Sequence, residues 1–174
     1  MTKLEIPLPR VRCQQAFFAL LMAGYAVDVE PKKVERFPGD PGTKRNTWEG
    51  LSGWYGIDEW RTTDLGEGSN GVTSIYYRGH LIWEMQYGGQ YPNRVIPFLR
   101  KMLERNYTQG IWLGGRGPAA YKEGVFSYEN RVEKNNFADF CGKETVYEIY
   151  PNGGDHAIGH HYYRGGFVMN DPDR

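Results

Sequence analysis

Near the C-terminal end of the chain, Asp155, His156, His160 and His161 fall within one run of seven residues. Imidazole nitrogens beside a carboxylate are ordinary ligands for a divalent metal. In an extended strand, however, His156 and His160 share one face and His161 turns to the other. Gly153, Gly154 and Gly159 interrupt the run, and no fourth ligand is evident. No metal and no other cofactor is therefore assigned. His160, beside Tyr162, is read as a core or pocket-lining residue.

The carboxylates offer a second chemistry. Glu84 alternates with apolar residues in WEMQY, and Glu144 stands between Phe140 and Val146. Two inward carboxylates can do acid–base work, or they can form ion pairs with Arg116 or Arg131. Arg116 lies in GGRGP (114–118), a glycine-rich turn that lacks the Gly-Lys-Ser/Thr ending of a phosphate loop. A forked donor held on such a turn suits a carboxylate, either a ligand's or that of Glu144. Cys141 has no protease-like surroundings and reads as a small strand residue. No catalytic residue is assigned.

These residues need elements to position them. The 174 residues suffice for a single domain, 1–174, with a sizeable core. Twenty-one basic residues balance 21 acidic ones, which disfavours nucleic acid as a partner. Thirteen tyrosines and 23 glycines suit a sheet with tight turns. Two cysteines cannot build a disulfide framework, so a reduced, cytoplasmic setting is expected. Arg10 and Arg12 before AFFALLMAGYA have the outline of a signal peptide. The run is short for a membrane span, and Gln14 and Gln15 spoil the approach. Residues 12–26 are read instead as an amphipathic or buried helix, with no membrane association.

Helical spacing recurs in VIPFLRKMLERN, where Pro97 sits in the first turn. The tetrad YYRG occurs twice, at 76–79 and 162–165. In the first copy VTSIYY and HLIWEMQY flank a two-residue Arg-Gly turn and alternate with period two. That predicts a hairpin in which Tyr77 pairs with His80, Ser74 with Trp83 and Val72 with Met85. The second copy, by the same logic, predicts another hairpin tip. AYKEGVFSYEN predicts a third hairpin around Lys-Glu-Gly. Residues 28–47 read as an irregular loop, and 66–71 as a turn. Hairpins with helices outside them predict α+β: a curved, mostly antiparallel sheet of about five to seven strands, with two helices on one face.

The strings YRGHLIWEMQYGG, VIPFLRKML, RGPAAYKEGVFSYENRV, FADFCGKETVYEIY and YRGGFV, in this order, resemble the domain-of-unknown-function family 5680. The resemblance runs from about residue 16 to 168. It includes Trp83-x-Met85-x-Tyr87-x-Gly89 and Arg116-Gly117-Pro118. The family comprises bacterial and archaeal domains, some fused behind helix-turn-helix modules, and so implies a sensing or accessory role. It supplies no catalytic residues to carry over. The chain departs from the pattern at 28–47 and in PNGGDHAIGHH.

A curved sheet closed by helices commonly leaves an aromatic-lined pocket. Glu84, Arg116 and Glu144 are expected to form a polar cluster there, walled by Tyr128, Tyr162 or Trp54, with His160 nearby. The leading expectation is a non-catalytic domain that binds or senses a small molecule. The alternatives are a small enzyme using the inward Glu and His residues, or an interaction or inhibitor protein with a protein partner. The sequence fixes no oligomeric state.

Overall fold

The computed structural model describes residues 10–27, 30–35, 38, 42–63, 66–151 and 153–168. Nine strands form one open antiparallel sheet in the order β1-β2-β3-β4-β5-β9-β8-β7-β6. They are β1 Lys32–Val34, β2 Thr43–Glu49, β3 Trp54–Thr62, β4 Gly68–Tyr77, β5 His80–Gln90, β6 Ala120–Glu123, β7 Phe126–Asn136, β8 Asp139–Ile149 and β9 Asp155–Phe167. Helices α1 (Arg10–Met22) and α2 (Ile96–Thr108) cover one face. The class is the α+β architecture expected. The strand count exceeds the expectation because part of the 28–47 segment forms β1 and the start of β2, and the 66–71 segment opens β4. No described helix is long and apolar enough to cross a membrane.

Both helices follow the period of 3.6. Cys13, Ala16, Phe17, Leu20 and Leu21 are the buried positions of α1. Those of α2 are Phe98, Leu99, Met102, Leu103, Asn106 and Tyr107. The strands follow the period of two. Trp54, Gly56, Asp58 and Trp60 of β3 point inward, as do Phe140, Gly142, Glu144 and Val146 of β8. Trp83 anchors the core. It stacks on Phe137 at 4.9 Å and Phe140 at 5.4 Å, and its indole N–H donates to the Phe137 carbonyl at 2.8 Å. Deleting so large a buried ring costs on the order of 3–5 kcal/mol.

The first YYRG is a hairpin tip. Tyr77 pairs with His80, and Arg78 and Gly79 have φ of 49° and 81°, the two positive values a type I′ turn requires. The register beyond the tip differs from expectation. A bulge between Ile75 and Tyr76 pairs Ile75 with Trp83, Ser74 with Glu84 and Val72 with Gln86. Thr73 and Ile75 turn to the core, both fully buried. The second YYRG is no tip. Arg164 lies within β9, paired with Gln86 on one side and Cys141 on the other. A strand with both edges occupied cannot fold back. Gly165 is needed there because a Cβ would strike the Glu84 carbonyl. In the third hairpin Glu123 pairs with Phe126, so the loop is the two residues Gly124 and Val125 instead of the three-residue Lys122-Glu123-Gly124 turn expected.

Candidate functional site

Arg116, Glu144 and Tyr128 meet beneath the helices. Glu144 is fully buried on β8. Its Oε1 accepts from Arg116 Nε at 3.0 Å and also from Nη2, and its Oε2 accepts from the Tyr128 hydroxyl at 2.7 Å. Burial alone would raise the carboxyl's pKa. The Arg116 charge and these hydrogen bonds outweigh it and hold the group below the usual carboxylate range. Arg116 is the mirror case: burial opposes its charge, and Glu144 more than restores it.

The loop that carries Arg116 is fastened by side chains from α2 and β7. Asn106 Nδ2 donates to the carbonyls of Arg116 at 2.6 Å and Ile111 at 3.1 Å. Tyr107 donates to the Gly115 carbonyl at 3.0 Å, and Asn130 Nδ2 to the Gly117 carbonyl at 2.9 Å. Gly114 and Gly115 have φ of 61° and 71°, a bend that side chains with a Cβ resist. The guanidinium is thus placed by a rigid turn, with its Cζ 5.3 Å from the Tyr87 ring centre.

Three inward rings reach their partners by lying across a glycine on the next strand. Tyr87 crosses Gly71 and donates to Asp58 Oδ1 at 3.0 Å. His161 crosses Gly89, and its Nε2 lies 3.0 Å from Ser69 Oγ. Tyr163 crosses Gly142 and donates to Asn130 Oδ1 at 2.6 Å. A Cβ at Gly71 or Gly142 would occupy the space of the ring, and one at Gly89 would strike the His160 carbonyl and crowd the imidazole.

Ser69, His161 and Glu144 stand in the order of a hydrolytic relay, yet they lack its electrostatics. His161 Nδ1 is 3.7 Å from Glu144 Oε1, too long for a hydrogen bond. That oxygen already accepts two N–H groups of Arg116. Burial pushes the imidazole's pKa down to about 4, which makes it a weak base at neutral pH. The neutral ring shares a hydrogen bond with the Ser69 hydroxyl through Nε2, its direction set by the ring's tautomer, while the buried Nδ1 has no hydrogen-bond partner among the described residues.

Between the sheet and α2 lies a cavity of about 550 Å³. Trp60, Tyr87, Tyr91 and Tyr107 supply aromatic walls, and Asp58, Arg116, Ser69 and His161 supply polar groups. Asp58 accepts from Thr73 at 2.8 Å and from Tyr87, both at Oδ1. It has no ion pair among the described residues. Burial, only partly offset by those bonds and by Arg116, raises its pKa to about 6.

Of the residues singled out in the sequence, Arg116, Glu144 and Tyr128 come together, and the others do not join them. Glu84 points to the opposite face of β5, where Gln86 donates to it at 3.2 Å. His160 and Tyr162 pack edge to face on the outer side of β9, and His161 is the inward histidine. His156 rests against Tyr150, so the three histidines separate. Trp54 is inward but packs on Tyr77 at the far end of β3 and does not line the cavity. Asp58, Tyr87, Tyr91, Asn106, Asn130 and His161 were not singled out as site residues. For Asp58 a signal existed: in WYGIDEW it shares strand parity with two tryptophans.

An open antiparallel sheet covered by two helices, with a polar-floored cavity between sheet and α2, defines the class as an α+β domain. Residues 66–168 match the family described as Domain of unknown function (DUF5680), and the chain belongs to it. Comparison with curated proteins and with solved structures gives no match.

Proposed function

We propose that the cavity binds a small, ring-containing organic molecule and that the domain acts by binding it, without catalysis. The observation that carries this reading is the composition of the cavity: about 550 Å³ walled by aromatic rings, with the buried Asp58 carboxyl on its lining. Small-molecule sites have this volume and this mixture of apolar wall and few polar groups. A protein that needed only stability would not keep an unpaired carboxyl there, because burying it costs free energy. The weak basicity of His161 and the neutralised Glu144 favour binding over acid–base chemistry.

A fragment screen by thermal shift tests the reading, followed by NMR of the tryptophan indoles. Ring-containing fragments should raise the melting temperature and shift the Trp60 indole signal, leaving Trp54 unchanged. Fragments that bind but shift Trp54 and not Trp60 would place the site elsewhere. A library without a single stabilising fragment would remove it altogether.

A further inference from the structure

Among the described residues, the charges around the cavity do not cancel. Arg116 and Glu144 neutralise each other as a two-bonded pair. Among the remaining lining residues, Glu30 and Glu67 stand against Lys44 and Arg100, and these balance. Asp58 is left over. It is 3% exposed, and both of its hydrogen bonds end on Oδ1. Oδ2 has no partner among the described residues, so one carboxylate oxygen is left for whatever enters.

We infer that the cavity selects an organic monocation, a protonated amine or amidinium carried on an aromatic or cyclic body, with its N–H groups on Asp58 Oδ2. This deepens the binding reading above and rests on it. Two physical terms support a cation over an anion or a neutral ligand. A buried carboxylate without a counter-charge is relieved most by a positive donor that enters its site. The faces of electron-rich rings attract cations as well, and tryptophan most strongly. Trp60 and Tyr91 line the cavity together with Asp58. The protein already uses this interaction on itself, since the Arg100 guanidinium lies 5.1 Å from the Tyr25 ring centre and Arg116 packs on Tyr87. An anion, by contrast, would meet Arg116 with its Nε and Nη2 already committed, and Asp58 as a like charge.

The test uses three probes of nearly equal shape: naphthylmethylammonium, naphthylmethanol and naphthoate. Each is titrated calorimetrically into the full chain near neutral pH. The ammonium should bind about tenfold or more tighter than the alcohol, and naphthoate weakest. In Asp58→Asn the ammonium should fall to the level of the alcohol, while alcohol binding stays. An alcohol or carboxylate that binds as tightly as the ammonium overturns the inference while leaving the binding reading intact. So does a preference for the ammonium that survives in Asp58→Asn. If none of the three binds at about 1 mM, the cavity is not a site for such rings and both readings fail. The parent ranking alone decides the charge question should the variant fail to fold.

Discussion

Glu144 on β8 and His161 on β9 stand opposite each other as a cross-strand pair, and the protein holds one charged and the other neutral. Burial keeps the imidazole neutral, with a smaller push from the Arg116 charge, and that same charge holds the carboxylate ionised. An imidazole kept neutral by the fold makes the fold sensitive to acid.

The first prediction concerns that sensitivity. His161 has a folded pKa of about 4 against the ordinary value of 6.5, so the unfolded chain takes up the proton first. Its contribution is complete above pH 6.5 and is lost as pH falls toward 4. The full loss is roughly 3 kcal/mol, at 1.36 kcal/mol per pKa unit. Urea unfolding of the parent and of His161→Gln across this window should show a shallower decline in the variant. Equal slopes would mean that His161 is not the titrating group.

Asp58 has the opposite sign. Its folded pKa of about 6 lies above the ordinary 3.8, so the folded state holds the proton longer. Stability therefore falls as pH rises through that window, and the cost persists at neutral pH. Asp58→Asn keeps an oxygen for Thr73 and Tyr87 and removes the charge. It should be more stable than the parent near neutrality by up to roughly 3 kcal/mol, a gap that closes in acid. Thermal melts across the pH range check this, and a variant less stable than the parent near neutrality would contradict it.

The ion pair gives a third prediction. Arg116→Met leaves Glu144 charged, buried and unpaired, at a cost of about 3–5 kcal/mol. Adding Glu144→Gln removes that charge and keeps an acceptor for Tyr128. The double variant should recover much of the loss, and denaturant midpoints for the four chains measure the coupling. Additive losses would show that the pair is not the unit described.

A fourth prediction tests a ring lying across a glycine. In Gly71→Ala the new Cβ would sit 2.7 Å from the Glu59 carbonyl oxygen and inside the Tyr87 ring. The ring must leave Asp58, so the variant should lose about 1–3 kcal/mol. The tyrosine ring signals should shift with it. An unchanged melt would show that the strands yield freely at this point.

The ion pair was legible in the sequence because both partners stand out locally. Arg116 sits between glycines in a turn, and Glu144 interrupts an apolar alternation. Asp58 was legible too, sharing strand parity with Trp54 and Trp60, whereas His161 was hidden by register. The second YYRG is the interior of a strand and not a tip, so His161 and Tyr163 face inward and His160 and Tyr162 do not. Glu84 stands on the far side of the sheet, because the cavity lies on the face of Trp83, Met85 and Tyr87. The bulge beside Ile75 shifts β4 by one residue, and period-two reasoning has no means of detecting it.

The strand order has a consequence for how the protein is made. Every pairing in the sheet joins consecutive strands except β5 with β9. Two local meanders can thus form early, since contacts between neighbours in sequence close quickly. Until the two meanders join, β5 and β9 each present an open edge, the kind of surface on which nascent chains associate wrongly. Because β9 also carries His161, the Ser69 contact and the cavity wall are completed by the same event that seals both edges. A ligand that needs the finished cavity would favour the sealed sheet over its precursors, so it would act on the yield of folding as well as on the folded domain.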